Sequence, residues 1–166
     1  MLGFIYALLS AIFFSTNNIF LKKTTQKIEI HTAFLMIYFF VTLTALIISF
    51  FLGNYNHTFD FMIFLKIVLI GFVGAIAIFS LMESFSRISV AKSLAIANFY
   101  PFISLFLFYL FYLQKISLFN FISMLIVFFG IILTLDGKFK LKFNKNLLFP
   151  ITTAIGWGIY YFLLDI

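Results

Sequence analysis

The chain has 166 residues, of which 64% are hydrophobic and only 10% charged, with a net charge of +6. Soluble domains run about 45–50% apolar and about 25% charged, so a mean hydropathy of +1.20 excludes a water-soluble enzyme, a nucleic-acid-binding domain and a disordered chain. There is no cysteine, which excludes disulfides, thiolate metal sites and thiol nucleophiles.

A hydrocarbon core about 30 Å thick takes about 20 helical residues. Six windows meet that length: Leu2–Leu21, Thr32–Leu52, Phe61–Phe85, Val90–Leu113, Leu118–Leu135 and Leu147–Leu164. They are apolar all round rather than alternating, so the expected fold is an all-α integral membrane protein with six transmembrane helices, not a barrel. The 28 phenylalanines are expected to be lipid-facing bulk. Short connections make neighbouring helices antiparallel.

Polar residues inside spans cost energy and mark candidate sites. In the first span Ser15, Thr16, Asn17 and Asn18 follow one another. Ser10, Phe14 and Asn17 share a face, so Asn17 is expected to point into the bundle, either for interhelical hydrogen bonding or to line a cavity. In the second span Tyr38, Thr42, Ala45 and Ser49 share one face, and the Tyr38 hydroxyl sits well inside. The third span carries Gly71-x-x-x-Ala75, a small-residue pair suited to close helix packing. It ends in Glu83 and Arg87, spaced for an i,i+4 ion pair. Glu83 is the candidate carboxylate for substrate or proton coupling.

The fourth span holds Asn98 and Pro101. Pro101 has no N–H, so the Ala97 carbonyl should lose its partner and the helix should kink. Asn98, one turn away, makes this pair a candidate site. The fifth span ends at Asp136-Gly137. A basic stretch, Lys138-Phe139-Lys140-Leu141-Lys142-Phe143, follows and suits either an anionic lipid surface or a solvated loop. The last span places Trp157 between Gly156 and Gly158, with Tyr160 and Tyr161 beyond; the glycines should let another backbone approach Trp157.

Nine basic residues fall in the first, third and fifth loops, against Lys66 and Lys115 on the other side. That bias places those three loops in the cytoplasm. His31 and His57 lack ligand spacing, so no metal or other cofactor is expected. The acids near span ends form no catalytic pair, so no enzyme is expected either.

Sliding the last span onto the first at an offset of 143 aligns Ala11-Ile12 with Ala154-Ile155, Phe14-Ser15 with Trp157-Gly158, and Leu21 with Leu164. Weak internal repeats of this kind occur in transporters built from inverted halves. With these residues the sequence resembles the EamA family of the drug/metabolite transporter superfamily. Phe14-Ser15-Thr16-Asn17 with Lys22 looks like the opening of that family's repeat, and Trp157-Gly158 looks like it again. Ser89-Val90-Ala91, Pro101 and Gly130 also fit, while Gln114 stands where the family has an acid.

The resemblance implies a first five-helix repeat over residues 1–137, a basic linker over 138–146, and the first helix of an incomplete second, inverted repeat over 147–166. It implies a transporter of small organic metabolites or drugs in the bacterial cytoplasmic membrane, working by alternating access. It would place Asn17, Tyr38, Asn98 and Trp157, with Pro101, at a substrate cavity. The family has both termini in the cytoplasm, whereas the loop charges place the N-terminus outside. The expected partners are the lipid bilayer, a small-molecule substrate, and either a second copy or a missing C-terminal half; no nucleic acid is expected. The alternative function is a non-transporting membrane subunit or a homo-oligomeric half-transporter.

Overall fold

The computed structural model describes residues 2–52, 60–113, 117–134 and 145–165. His57, Gln114, Lys115, Leu135, Asp136-Gly137 and the basic Lys138–Phe143 stretch, all invoked above, lie outside the described residues. Every regular element among the described residues is helical: α1 (Leu2–Lys27), α2 (Ile30–Leu52), α3 (Phe61–Arg87), α4 (Val90–Ala97), α5 (Tyr100–Tyr112), α6 (Leu118–Thr134) and α7 (Leu148–Leu164), the last preceded by a short 3-10 turn at Lys145–Leu147. Among them, Ile30–Phe51, Phe61–Arg87, Val90–Tyr112 and Lys145–Leu164 are long and apolar enough to cross a membrane. The 26 residues of α1 rise about 39 Å, also enough to span. The chain is an all-α, multi-pass membrane protein.

Helix ends depart from the hydropathy windows in an explicable way. The first window stops at Leu21, but α1 runs on to Lys27. Lysine ends an apolar run without ending a helix, because its intrinsic helix propensity is good. Similarly α3 continues past Phe85 to Arg87, where the Ile88 N–H bonds the Ser84 carbonyl at 2.9 Å. At its start the Asp60 carboxylate accepts from the Met62 N–H at 2.8 Å, an N-cap satisfying one of the free amides of the first turn.

The fourth span is broken, as its proline dictates. Asn98 N–H still reaches the Leu94 carbonyl at 2.8 Å, but Phe99 N–H bonds Ile96 at 3.1 Å, a tighter turn. Pro101 then sits in the first turn of α5, where a missing N–H costs nothing. The Ala97 carbonyl, which residue 101 would have served, gets no helical donor. Two helices, α4 and α5, therefore stand where one window was read.

The last helix is the most deeply embedded. α7 packs against α3, α5 and α4, while α1 and α2 lie on α3 and α6 lies on α4. Missing side chains allow this. A Cβ on Gly156 would lie 2.8 Å from the Ala77 Cβ, and one on Gly158 would lie 2.6 Å from Ile103 side-chain carbons and 3.2 Å from the Tyr100 carbonyl oxygen. The glycines around Trp157 thus admit α3 on one side and α5 on the other. Thr153 adds a buried hydrogen bond from its hydroxyl to the Ala77 carbonyl, 3.2 Å long. The small pair expected at Gly71 and Ala75 does not do this work. Gly71 is exposed with nothing near it, and the close contacts of α3 fall instead at Gly74 and Ala77. The partner glycines of α7 select that face, and α3's own spacing does not reveal it.

The bundle is tight at one end and splayed at the other. All buried residues of α3 lie between Ala77 and Phe85, joined in one apolar core by Leu21, Ala33, Ala97 and Trp157. At the opposite end Phe61, Met62, Ile63 and Phe64 of α3 and Phe50 and Phe51 of α2 are exposed, whereas Phe85 and Phe162 are buried, against the expectation of lipid-facing bulk for the phenylalanines as a whole. The tight end is also the basic end. Lys22 of α1 donates to the Phe85 and Ile88 carbonyls at the C-terminus of α3, where a cation meets the negative end of the helix dipole. Arg87 lies 4.6 Å over the Phe149 ring at the start of α7.

Candidate functional site

A cavity of about 230 Å³ opens above this core, lined by Phe14, Tyr38, Gly74, Ile78, Trp157, Tyr160 and Tyr161. Gly74 is the middle residue of α3, Phe14 is near the middle of α1, and Trp157 is near the middle of α7. The cavity therefore sits at mid-depth, where substrate sites of secondary transporters lie. Four helices contribute to it, and aromatic rings make most of its wall.

Each ring is held by others. Trp157 meets Phe14 at a centroid distance of 6.0 Å and Tyr100 edge-on at 5.7 Å. Tyr100 stacks on Tyr161 at 5.0 Å, and Tyr161 meets Tyr160 edge-on at 5.3 Å. Tyr38 is braced by Phe34 at 4.6 Å. Stacked and edge-to-face contacts of this kind add to the stabilisation from burial alone. Gly74 makes room for Tyr160: a Cβ there would lie 3.1 Å from its ring. The interior is a rigid aromatic frame with three tyrosines, and none of the described residues lining it carries a charge.

Of the residues expected at a substrate site, Tyr38 and Trp157 are brought together here. Asn98 is half-buried at the C-cap of α4, at the helix break. Pro101 faces a different groove of about 240 Å³, between α5 and α6, with Phe102, Leu105, Ser123, Met124 and Val127. Asn17, expected to face the interior, is exposed; its neighbour Asn18 is buried, 1% exposed, with its Nδ2 unpartnered. The buried stripe of α1 is Asn18, Leu21 and Thr25, one residue round the helix from the face chosen by spacing. In the second span Thr42, Ala45 and Ser49 are exposed along the face Tyr38 begins. Glu83 pairs with Arg87 at 2.9 Å, in the i,i+4 geometry expected, and does not line the cavity.

Sequence reasoning missed Lys22 as a tertiary contact, because a lysine after an apolar run reads first as a loop charge. It also missed Phe14, Tyr160 and Tyr161 as walls, since aromatic residues are too common in this chain to stand out. The alignment of the first and last spans held a usable signal: its paired positions Phe14 and Trp157 are the two rings that touch.

Comparison with known proteins agrees with the architecture. A model of the EamA-like transporter family matches residues 1–136, which covers α1 to α6 and stops short of α7. No curated protein and no solved structure matches the chain. With most of its length matched and with apolar spanning helices around a mid-depth cavity, the chain belongs to the EamA-like transporter family, within the drug/metabolite transporters.

Proposed function

We propose that this chain moves small organic metabolites or drugs across the bacterial cytoplasmic membrane by alternating access, with the aromatic cavity as its substrate site. The carrying observation is the cavity's construction. Its walls come from α1, α2 and α3 of the family-matched region and from α7 beyond it, so relative movement of the two parts would open or close it. The Phe14–Trp157 contact supports reading α7 as the start of a second, inverted repeat over 147–166, after the first repeat over 1–137 and the linker over 138–146. Equivalent residues near a pseudo-two-fold axis in the membrane plane meet one another, and these rings are 6.0 Å apart.

The closed basic end and splayed opposite end suit access from the side away from Lys22, Arg87 and Lys145. Loop charge places that side outside the cell. Tyr38 and Trp157 contact substrate in this reading. Asn98 and Pro101 supply the helix break, and Asn17 faces the surface that a further half would cover. Glu83 is the coupling candidate: Glu83→Gln should abolish uptake driven by a proton gradient while leaving substrate exchange intact, and unchanged gradient-driven uptake would remove it from that role.

The deciding experiment is uptake by reconstituted protein across a broad panel of amino acids, nucleosides, sugars and organic cations. Transport that is lost in Trp157→Ala supports the proposal. A folded protein that moves nothing in the panel refutes it. One observation favours a second reading, a non-transporting or homo-oligomeric subunit. Ser15 and Asn17 are exposed at spanning depth, where polar groups need a partner. Crosslinking that finds only monomer, alongside measurable transport, would refute that reading.

A further inference from the structure

We infer that the corner where α3 ends and α7 begins docks the headgroup of an anionic glycerophospholipid, held by Arg87 and Lys145. The inference is independent of what the cavity carries.

Depth places the corner. The 27 residues of α3 rise about 40 Å, the thickness of a bilayer with its headgroup layers. Arg87 is the last residue of that helix, and Lys145 is the first of the last spanning segment. Both therefore stand at headgroup level on one side of the membrane. Charge there is one-sided. The described basic residues of this end are Lys22, Lys23, Lys27, Arg87, Lys92 and Lys145, against Glu29 and Glu83; the opposite end has Asp60 and Asp165 against Lys66.

The corner is more specific than that bias. The guanidinium carbon of Arg87 lies 4.6 Å from the centre of the Phe149 ring, and its Nε and Nη2 both lie 2.9 Å from one Glu83 oxygen, Oε2. The ring takes the face of the guanidinium and the carboxylate takes one edge. A guanidinium has five N–H donors. Both Nη1 hydrogens and the second Nη2 hydrogen have no partner among the described residues. One hydrogen from each Nη makes the fork that matches two phosphate oxygens. The Glu83 side chain is only 14% exposed and that of Arg87 is 45% exposed, so the carboxylate lies on the inner side and the free edge on the outer.

Lys145 is exposed and opens the short 3-10 turn that packs on α3. It precedes Phe149 by four residues, about 7 Å along the axis, so a flexible ammonium adjoins a guanidinium already fixed in place. These two cations against Glu83 leave one uncompensated positive charge. Phosphatidylglycerol supplies one negative charge on a phosphate diester, whereas phosphatidylcholine brings its own cation, which would meet Lys145. Leu148, beside the ring, is exposed. It offers an acyl chain a surface that a soluble phosphate could not use.

The full chain would be presented in detergent with equimolar phosphatidylglycerol and phosphatidylcholine of the same acyl chains, and the bound lipid read by native mass spectrometry. A Lys or Arg near an anionic surface strengthens attraction about fivefold, so phosphatidylglycerol should be retained at least about fivefold over phosphatidylcholine. Arg87→Gln with Lys145→Gln should abolish that preference. Lys23→Gln with Lys27→Gln removes the same charge from the same end and should leave the preference standing. Glycerophosphoglycerol, the same headgroup without chains, should not displace the lipid.

Equal retention of the two lipids by the unaltered chain overturns the inference, and that comparison needs no variant to fold. Equal losses in the two double variants would reduce the effect to the general charge of this end. Displacement by glycerophosphoglycerol would give the corner to a soluble anion. Either result overturns the inference as well.

Discussion

Replacing Gly156 with alanine tests how α7 is seated in the bundle. The added methyl would lie 2.8 Å from the Ala77 Cβ and 3.3 Å from its Cα. Carbon atoms settle about 3.5–4.0 Å apart, so α3 and α7 must separate by about 1 Å. Ala77 is fully buried and has no side-chain rotamer through which to yield. Overpacking of this kind costs about 1–3 kcal/mol. The separation also stretches the 3.2 Å bond from Thr153 to the Ala77 carbonyl, whose loss costs about 0.5–1.5 kcal/mol. Against these, alanine regains about 0.8–1 kcal/mol of helix propensity over glycine. The net expectation is a loss of about 2 kcal/mol. Ala77→Gly in the same chain removes the opposing methyl, so the double variant should recover at least about 1 kcal/mol relative to the sum of the single changes. Equilibrium unfolding in detergent, followed by Trp157 fluorescence, measures all four species of the cycle. If Gly156→Ala is as stable as the parent, or if the two substitutions are additive, the close approach of α3 and α7 is not what seats the helix.

Other consequences are as direct. Lys22→Met removes the donor that serves the Phe85 and Ile88 carbonyls. It should cost about 1.5–3 kcal/mol, the range for hydrogen bonds to charged groups, and a loss below about 0.5 kcal/mol in the same assay would show that the bonds do not hold the α1–α3 corner. Ser84→Ala leaves Ser93, its fully buried partner at 2.6 Å, with an unmatched hydroxyl. It should cost about 1–3 kcal/mol, and adding Ser93→Ala should restore most of that because neither group is then orphaned; a double variant less stable than the single one refutes the pairing. Asn18→Leu exchanges a buried amide with a free Nδ2 for an apolar side chain of similar shape. Thermal melting should find it at least as stable as the parent, and a loss above about 1 kcal/mol would show that Asn18 is held by more than its neighbours reveal.

Much of the architecture was legible because it depends on one-dimensional quantities. Window hydropathy located the α-helices among the described residues, and the ring of Pro101 located the break in the fourth span, since a residue without an N–H acts wherever it stands. Glycines beside Trp157 announced the close approach of another backbone; the structure has two, α3 at Gly156 and α5 at Gly158. What escaped required knowing which helix lies against which. Asn17 and Asn18 are both amides in an apolar run, and only the packing of α1 on α3 decides that Asn18 is the one inside. Gly71 and Gly74 are equally small, yet only Gly74 has Tyr160 opposite. The aromatic cavity was half visible, through Tyr38 and Trp157. Its remaining walls come from residue types spread along every helix, so no local pattern separates a lining phenylalanine such as Phe14 from one in contact with lipid.

The central position of α7 also bears on the order in which the protein can mature. Synthesis threads α1 to α6 into the bilayer before α7 leaves the ribosome. Until then Gly74 and Ala77 of α3 and Ile103 of α5 lack the helix that covers them. Three of the described residues that wall the cavity, Trp157, Tyr160 and Tyr161, are still absent. The aromatic cavity is therefore incomplete until α7 joins α3 and α5. A chain that has not yet received α7 has only part of the cavity wall, so completion of the cavity is tied to the seating of this one helix.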